Sequence, residues 1–230
     1  MRGLFRSIFF IVFLTACDGA ENLKSPQDIQ TDKVSNFEQT YVLATQGDIN
    51  AQLLLGTMYA LGDGVNEDDE EAARWFRKAA QKGDANAQHA LGSMYALGNG
   101  VHKDTVEAAK WHHMAAAQGL AVAQYFLGVA YESGSGVKKD NIEAVSWLLK
   151  AAKQGNVEAQ VFLSGMYAKG TASKENFLIA YQWASVAAVQ GSHSAKDLKM
   201  LLASQMTDEQ IARAQKNSIL CYESNYKDCD

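Results

Sequence analysis

Residues 83–118 read GDANAQHALGSMYALGNGVHKDTVEAAKWHHMAAAQ, and the chain on either side repeats the phrase with variations. Gly47, Gly83, Gly119, Gly155 and Gly191 fall 36 residues apart. Trp75, Trp111, Trp147 and Trp183 keep that step, as do Tyr59, Tyr95, Tyr131 and Tyr167, and Ala72, Ala108, Ala144 and Ala180. A fixed period of this length marks a repeat array, in which each unit packs on its neighbours. Four units follow, 47–82, 83–118, 119–154 and 155–190.

Each unit reads as two helices. The first runs over about 49–61, with Ala51, Leu55, Met58 and Tyr59 at helical spacing. The column Asp48, Asp84, Leu120, Asn156 and Ser192 offers an N-cap at four of five positions. Gly62-x-Gly64 ends the helix with a left-handed stop and a turn. The second helix starts at Asp68, Asp104, Asp140 and Asn176, with Glu71, Glu107 and Glu143 placed to complete capping boxes. Its buried face carries Ala72, Trp75, Ala79 and Ala80. The fourth unit departs from the phrase: Ser164 replaces the glycine of Gly56, Gly92 and Gly128, Ala172 the second loop glycine, and Ile179 the box glutamate. Terminal repeats commonly differ in this way, because one side meets no neighbour.

A formal charge of −5 excludes general binding to a phosphate backbone, which needs a basic stripe. The acidic run Glu67–Glu71 is a solvated helix start.

Residues 1–16, MRGLFRSIFFIVFLTA, have the basic start, short apolar run and small-residue end of a secretory signal peptide, too short to span a membrane. Leu14-Thr15-Ala16-Cys17 resembles the bacterial lipobox, which implies cleavage before Cys17 and a lipid on its thiol. Asp18 resembles the inner-membrane retention signal of such lipoproteins. A periplasm-facing, membrane-anchored lipoprotein is therefore expected. Residues 17–34 lack apolar periodicity and read as a flexible tether, reaching roughly 20–25 Å. Residues 35–46 match the second half of a unit, a half-repeat helix that caps the array. At the other end, 191–230 supply capping helices, the last one started by Thr207-Asp-Glu-Gln210. Cys221 and Cys229 are expected to form a disulfide in an oxidising compartment.

The unit Ala87-Gln88-x-x-Leu91-Gly92-x-Met94-Tyr95-x-x-Gly98-x-Gly100-Val101, followed by Ala108-x-x-Trp111 and Ala115-Ala116, is similar to the Sel1-like repeat, a relative of the tetratricopeptide repeat. The resemblance implies an all-α fold, an α/α superhelix (solenoid) whose first helices line a concave groove. It also implies an adaptor or regulator that holds another protein in the cell envelope. The partner is then an envelope regulator, a toxic effector neutralised by an immunity protein, or a cell-wall enzyme. Matching Leu55, Gly56 and Tyr59 to the tetratricopeptide pattern puts four columns in the groove. They are Asn50, Asn86 and Val122; Leu53, His89 and Tyr125; Thr57, Ser93 and Val129; and Leu61, Leu97 and Ser133. The fourth unit adds Glu158, Val161, Gly165 and Lys169. These positions vary between units while their neighbours repeat.

Motifs for chemistry are few. Gly62-x-Gly64 recurs in a helix-to-helix loop with no strand before it, so it is a turn and not a phosphate loop. Ser135-Gly-Val-Lys138 matches the S-x-x-K of penicillin-recognising enzymes, without its companion motifs. Cysteine-rich relatives of the repeat offer the rival reading, a penicillin-binding protein or weak beta-lactamase, but these repeats lack the paired cysteines. His112 and His113 are adjacent, so their side chains point about 100° apart and do not chelate as an i, i+4 pair does. His112 shares a column with Phe76 and Leu148, which implies packing. Neither catalysis, a cofactor nor a metal is expected, and the chain is expected to be monomeric.

Overall fold

The structure, a computed structural model, describes residues 26–171, 176–227 and 229. Eleven helices follow one another among them: α1 (Pro26–Thr45), α2 (Ile49–Leu61), α3 (Asp69–Gln81), α4 (Ala85–Leu97), α5 (Thr105–Ala117), α6 (Ala121–Ser133), α7 (Asn141–Ala152), α8 (Val157–Ala168), α9 (Phe177–Val189), α10 (His193–Ala203) and α11 (Asp208–Glu223). From α1 to α10 each helix packs on the next, giving a solenoid of helix pairs. The signal peptide, Cys17, Asp18, Ala172 and the first part of the tether lie outside the described residues. Residues 26–34, read as tether, belong to α1 instead. Pro26 suits a first helical position, and extending a helix already packed at its far end costs far less than nucleating one.

The caps follow the sequence closely. Asp48, Asp84 and Asn156 accept from the amides of Ala51, Ala87 and Ala159, whereas Leu120 has no side chain to do so. Gly62, Gly98 and Gly134 end α2, α4 and α6 in the left-handed region. The expected capping boxes are only half made. Asp68, Asp104 and Asp140 accept from the amides of Glu71, Glu107 and Glu143. The Glu71 and Glu107 carboxylates, however, turn to Arg74 and Lys110, because a cation one turn along is a better partner than a neutral amide. A complete box forms at α11, between Thr207 and Gln210.

Within a unit, the helices interlock through one complementary pair. A Cβ on Gly56 would lie 2.7 Å from the Phe76 ring, one on Gly92 3.0 Å from His112, and one on Gly128 2.6 Å from Leu148. In the fourth unit that column holds Ala184, and the space admits Ser164, whose hydroxyl donates to the Ala180 carbonyl at 2.7 Å. The loss of glycine there is thus a compensated exchange of volume. The second loop glycine has a different role. A Cβ on Gly100 would collide with the Asp69 carbonyl of the preceding unit, so this loop stacks backbone on backbone.

Between units runs a ladder of buried glutamines. Gln88, Gln124 and Gln160 donate to the carbonyls of Ala80, Ala116 and Ala152 at 3.1–3.2 Å. Their oxygens accept from Gln118, Gln154 and Gln190 at 2.7–2.8 Å. The first unit breaks the pattern: Lys82 holds the donor's place and reaches the Gly47 carbonyl at 2.6 Å, leaving the Gln52 oxygen without a partner.

The two ends are finished differently. In α1, Asn36 and Gln39 stand where later units bury Ala72 and Trp75, and both are exposed, as a capping helix requires. At the far end α9 carries no formal charge, and Ala180–Ala187 are all buried. It is flanked by α8, α10 and α11, the last folding back along it. Cys221 and Cys229 form a disulfide, and the Cys229 carbonyl accepts from Gln182 Nε2 at 2.9 Å.

Candidate functional site

In each first helix, residues such as Ala51, Leu55 and Met58 turn inward. The opposite stripe, at spacing i, i+4, i+7, i+11, must therefore face away from the core. It holds Asn50, Leu54, Thr57 and Leu61 in α2. Of the expected columns, Leu61, Leu97, Ser133 and Lys169 are exposed, with Leu61 at 73% and Leu97 at 69%. Asn50, Asn86 and Glu158 are exposed too, and Val122 is half-buried. The columns of Leu53, His89, Tyr125 and Val161, and of Thr57, Ser93, Val129 and Gly165, are half-buried. The sequence reading missed the column Leu54, Ala90, Phe126 and Phe162. Leu54 and Phe126 are more open than their neighbours Leu53 and Tyr125. The helical stripe itself was the missed signal, since 54 and not 53 continues it.

This face is poor in charge. Across the first three units, its five columns contain no acid, lysine or arginine; the fourth contributes Glu158 and Lys169. Its serine and threonine hydroxyls are also spent on their own helices. Thr57, Ser93 and Ser133 donate to the carbonyls of Leu53, His89 and Val129 at 2.8–3.1 Å. What remains outward is mainly methyl, methylene and ring surface.

The middle of the face is a cluster drawn from four helices. His89 Nδ1 of α4 lies 3.3 Å from His112 Nδ1 of α5. The Phe126 ring of α6 stacks on His112 at 5.3 Å and 10° and sits 5.3 Å from His89. Tyr125 meets Phe126 at 5.3 Å and Phe162 of α8 at 6.2 Å. A cavity of about 240 Å³ opens beside it, lined by His112, Phe126, Val129, Ser133 and Ser135 among others. Burial lowers the His89 pKa, and burial with the neighbouring His89 holds His112 down to about 4. Both imidazoles are thus neutral near pH 7, and one ring donates to the other. Burial, then the Glu158 charge, pushes the Tyr125 hydroxyl up.

Of the sequence motifs, His112 belongs to this cluster and Ser135 lines the cavity beside it. His112 is 4% exposed and packs inward as its column implied, while His113 lies outward against the Trp147 ring. The pairing of His112 with His89 crosses from one helix to another, so no local spacing announces it. Ser135 and Lys138 are exposed in the α6–α7 turn, between or beside the left-handed Gly134 and Gly136. Among the described residues, no three His, Cys, Asp or Glu side chains are placed to hold a metal, and no helix is long and apolar enough to cross a membrane.

The family profile of the Sel1 repeat matches residues 49–84, 85–120, 121–156 and 157–192. The chain belongs to the Sel1 repeat family. The matched Sel1 units keep the period of the glycine ladder and begin two residues later than the glycine-to-glycine frame. The fold is similar to that of c5321, a protective antigen of uropathogenic Escherichia coli with an SLR fold. The two superpose with a TM-score of 0.79 at 29% identity, over 91% of this chain and 44% of that one. A Sel1 repeat protein of Oxalobacter formigenes matches with a TM-score of 0.66 at 37% identity, over 74% of this chain and 50% of that one. A putative Sel1 repeat protein of Klebsiella pneumoniae shares the fold at 19% identity, with a TM-score of 0.51 over 86% of this chain and 98% of that one. The chain thus spans half or less of the first two structures. Comparison with curated proteins gives no match.

Proposed function

We propose that this Sel1 repeat protein is a non-enzymatic scaffold that holds a protein partner against its first-helix face, the groove of the superhelix. The observation that carries the reading is the outward stripe of α2, α4 and α6: exposed leucines and a ring cluster with no formal charge over three units. Large exposed apolar side chains gathered on one face mark an interaction surface, and the rigid stack behind them keeps the ordering cost of binding low. The lipobox-like Leu14–Cys17 supports placing this scaffold in the bacterial envelope, anchored through Cys17 and facing the periplasm. A narrower form of the reading is an immunity lipoprotein that neutralises a periplasm-acting effector.

Capture from envelope extract by the tagged full-length chain, with the bound protein identified by mass spectrometry, tests the scaffold. Leu61→Glu and Leu97→Glu are expected to weaken capture by at least about tenfold without lowering Tm, since both side chains already face solvent. Lys78→Glu, on the exposed side of α3, should leave capture intact. Equal loss from the α3 change would overturn the first-helix face. In the same strains, Cys17→Ser should move the chain out of the membrane fraction, and unchanged retention defeats the anchor. Immunity holds only if the captured protein is toxic when exported and the chain restores growth.

A further inference from the structure

α10 is a first helix without its second helix. In each full unit, the position of Gly56, Gly92, Gly128 and Ser164 is buried beneath that unit's own second helix. One period on, the same column holds Met200, which is 65% exposed, beside Leu201 at 63%. The opposite face of α10 keeps its place in the array, with Ala195 and Leu202 buried. The difference arises because α11 folds back onto α9 instead of covering α10. A cavity of about 420 Å³ is left between α9 and α10, lined by Tyr181, Val189, Lys196, Lys199 and Met200 among others.

We propose that this open face of α10 docks an amphipathic helix of a partner protein, with a small residue over Met200 and acidic residues beside Lys196 and Lys199. The helical form of the occupant follows from register. The same slot is filled by a helix in each of the four preceding units, and α10 presents the slot in the same orientation. The small residue follows from the interlocking pair of the first three units, where a larger side chain on the second helix meets a glycine on the first. With Met200 on the receiving side the order is inverted, and a second large side chain would overpack the contact. The acidic flank follows from charge. Lys196 and Lys199 lie one turn apart at the cavity, and Lys199 lies 5.4 Å from the Tyr181 ring centroid. A second copy of this chain is a poor occupant, because two-fold pairing of α10 would bring the lysines of both copies into one interface.

The test uses the full-length chain purified in detergent and three synthetic helical peptides of about 16 residues, labelled for fluorescence anisotropy. One has alanine at its centre and glutamates on its flanks, the second replaces the central alanine with leucine, and the third replaces the glutamates with lysines. Saturable binding of the first peptide is expected, weaker by at least about tenfold for the second peptide and for a Met200→Glu chain. The double variant Lys196→Glu/Lys199→Glu should lose the glutamate peptide and bind the lysine peptide. Leu97→Glu should leave binding unchanged, which separates this surface from the first-helix face. The proposal is overturned if the wild-type chain shows no saturable binding, if Met200→Glu changes nothing, or if sedimentation shows a dimer that Met200→Glu splits.

Discussion

His112 occupies the column that holds Phe76 in the first unit and Leu148 in the third, and it packs beneath Gly92 as they pack beneath Gly56 and Gly128. An imidazole in a hydrocarbon's place has one consequence the other two lack: it can take up a proton. Its pKa is held to about 4, against an ordinary value of 6.5. As pH falls the unfolded chain therefore binds the proton first. Stability from keeping this ring neutral is whole above about 6.5 and is lost as pH drops toward 4, to an extent of at most about 3 kcal/mol. His112→Leu, which copies the third unit, is expected to flatten the fall of denaturant stability over that window. A slope identical to wild type would show that the ring does not contribute. Packing of His112 was legible from its column. Its contact with His89 was not, because the two rings meet only when α4 and α5 are laid side by side.

Helix boundaries were the easiest feature to read, since N-cap side chains and left-handed glycines act within a few residues of where they stand. Asp84 and Gly98, at either end of α4, needed no tertiary information. The glutamine ladder was harder. Gln124 is an ordinary polar residue in the sequence, yet it is buried and joins three helices, donating to Ala116 of α5 and accepting from Gln154, just beyond α7. Its column repeated as faithfully as the tryptophans, and that regularity was the available signal. Gln124→Met removes both bonds at a buried position, and should cost roughly 1–3 kcal/mol of stability. Gln52→Met removes one bond and relieves an unpaired oxygen, so its cost should be the smaller. Urea denaturation of the two variants decides this, and equal losses would mean that the second bond adds nothing. The tether prediction erred in the opposite sense: residues 26–34 have no apolar stripe, and their helix is inherited from the packed part of α1.

A solenoid whose units touch only their neighbours confines damage to where it is made. The Cys221–Cys229 bridge closes a span of 8 residues and ties the end of α11 to Gln182 of α9. Cys221→Ala/Cys229→Ala should therefore lower stability by about 2–3 kcal/mol on the chain-entropy account. Hydrogen exchange should quicken in α11 and α10 while α3 and α4 keep their protection; a uniform rise from α2 to α9 would contradict nearest-neighbour coupling.

The sequence alone determined the period, the two-helix unit, the caps and the disulfide. Each of these rests on residues near one another in the chain, or on a column that recurs at fixed spacing. It also pointed to the first-helix face, although it chose Leu53 where the helical stripe runs through Leu54. Only the tertiary structure decided that α11 turns back over α9 and leaves Met200 uncovered, and that His89 meets His112 under Phe126. Those outcomes depend on which of several apolar surfaces wins a competition for burial. Hydrophobic attraction has no direction of its own, so the choice is made by the fit of whole helices.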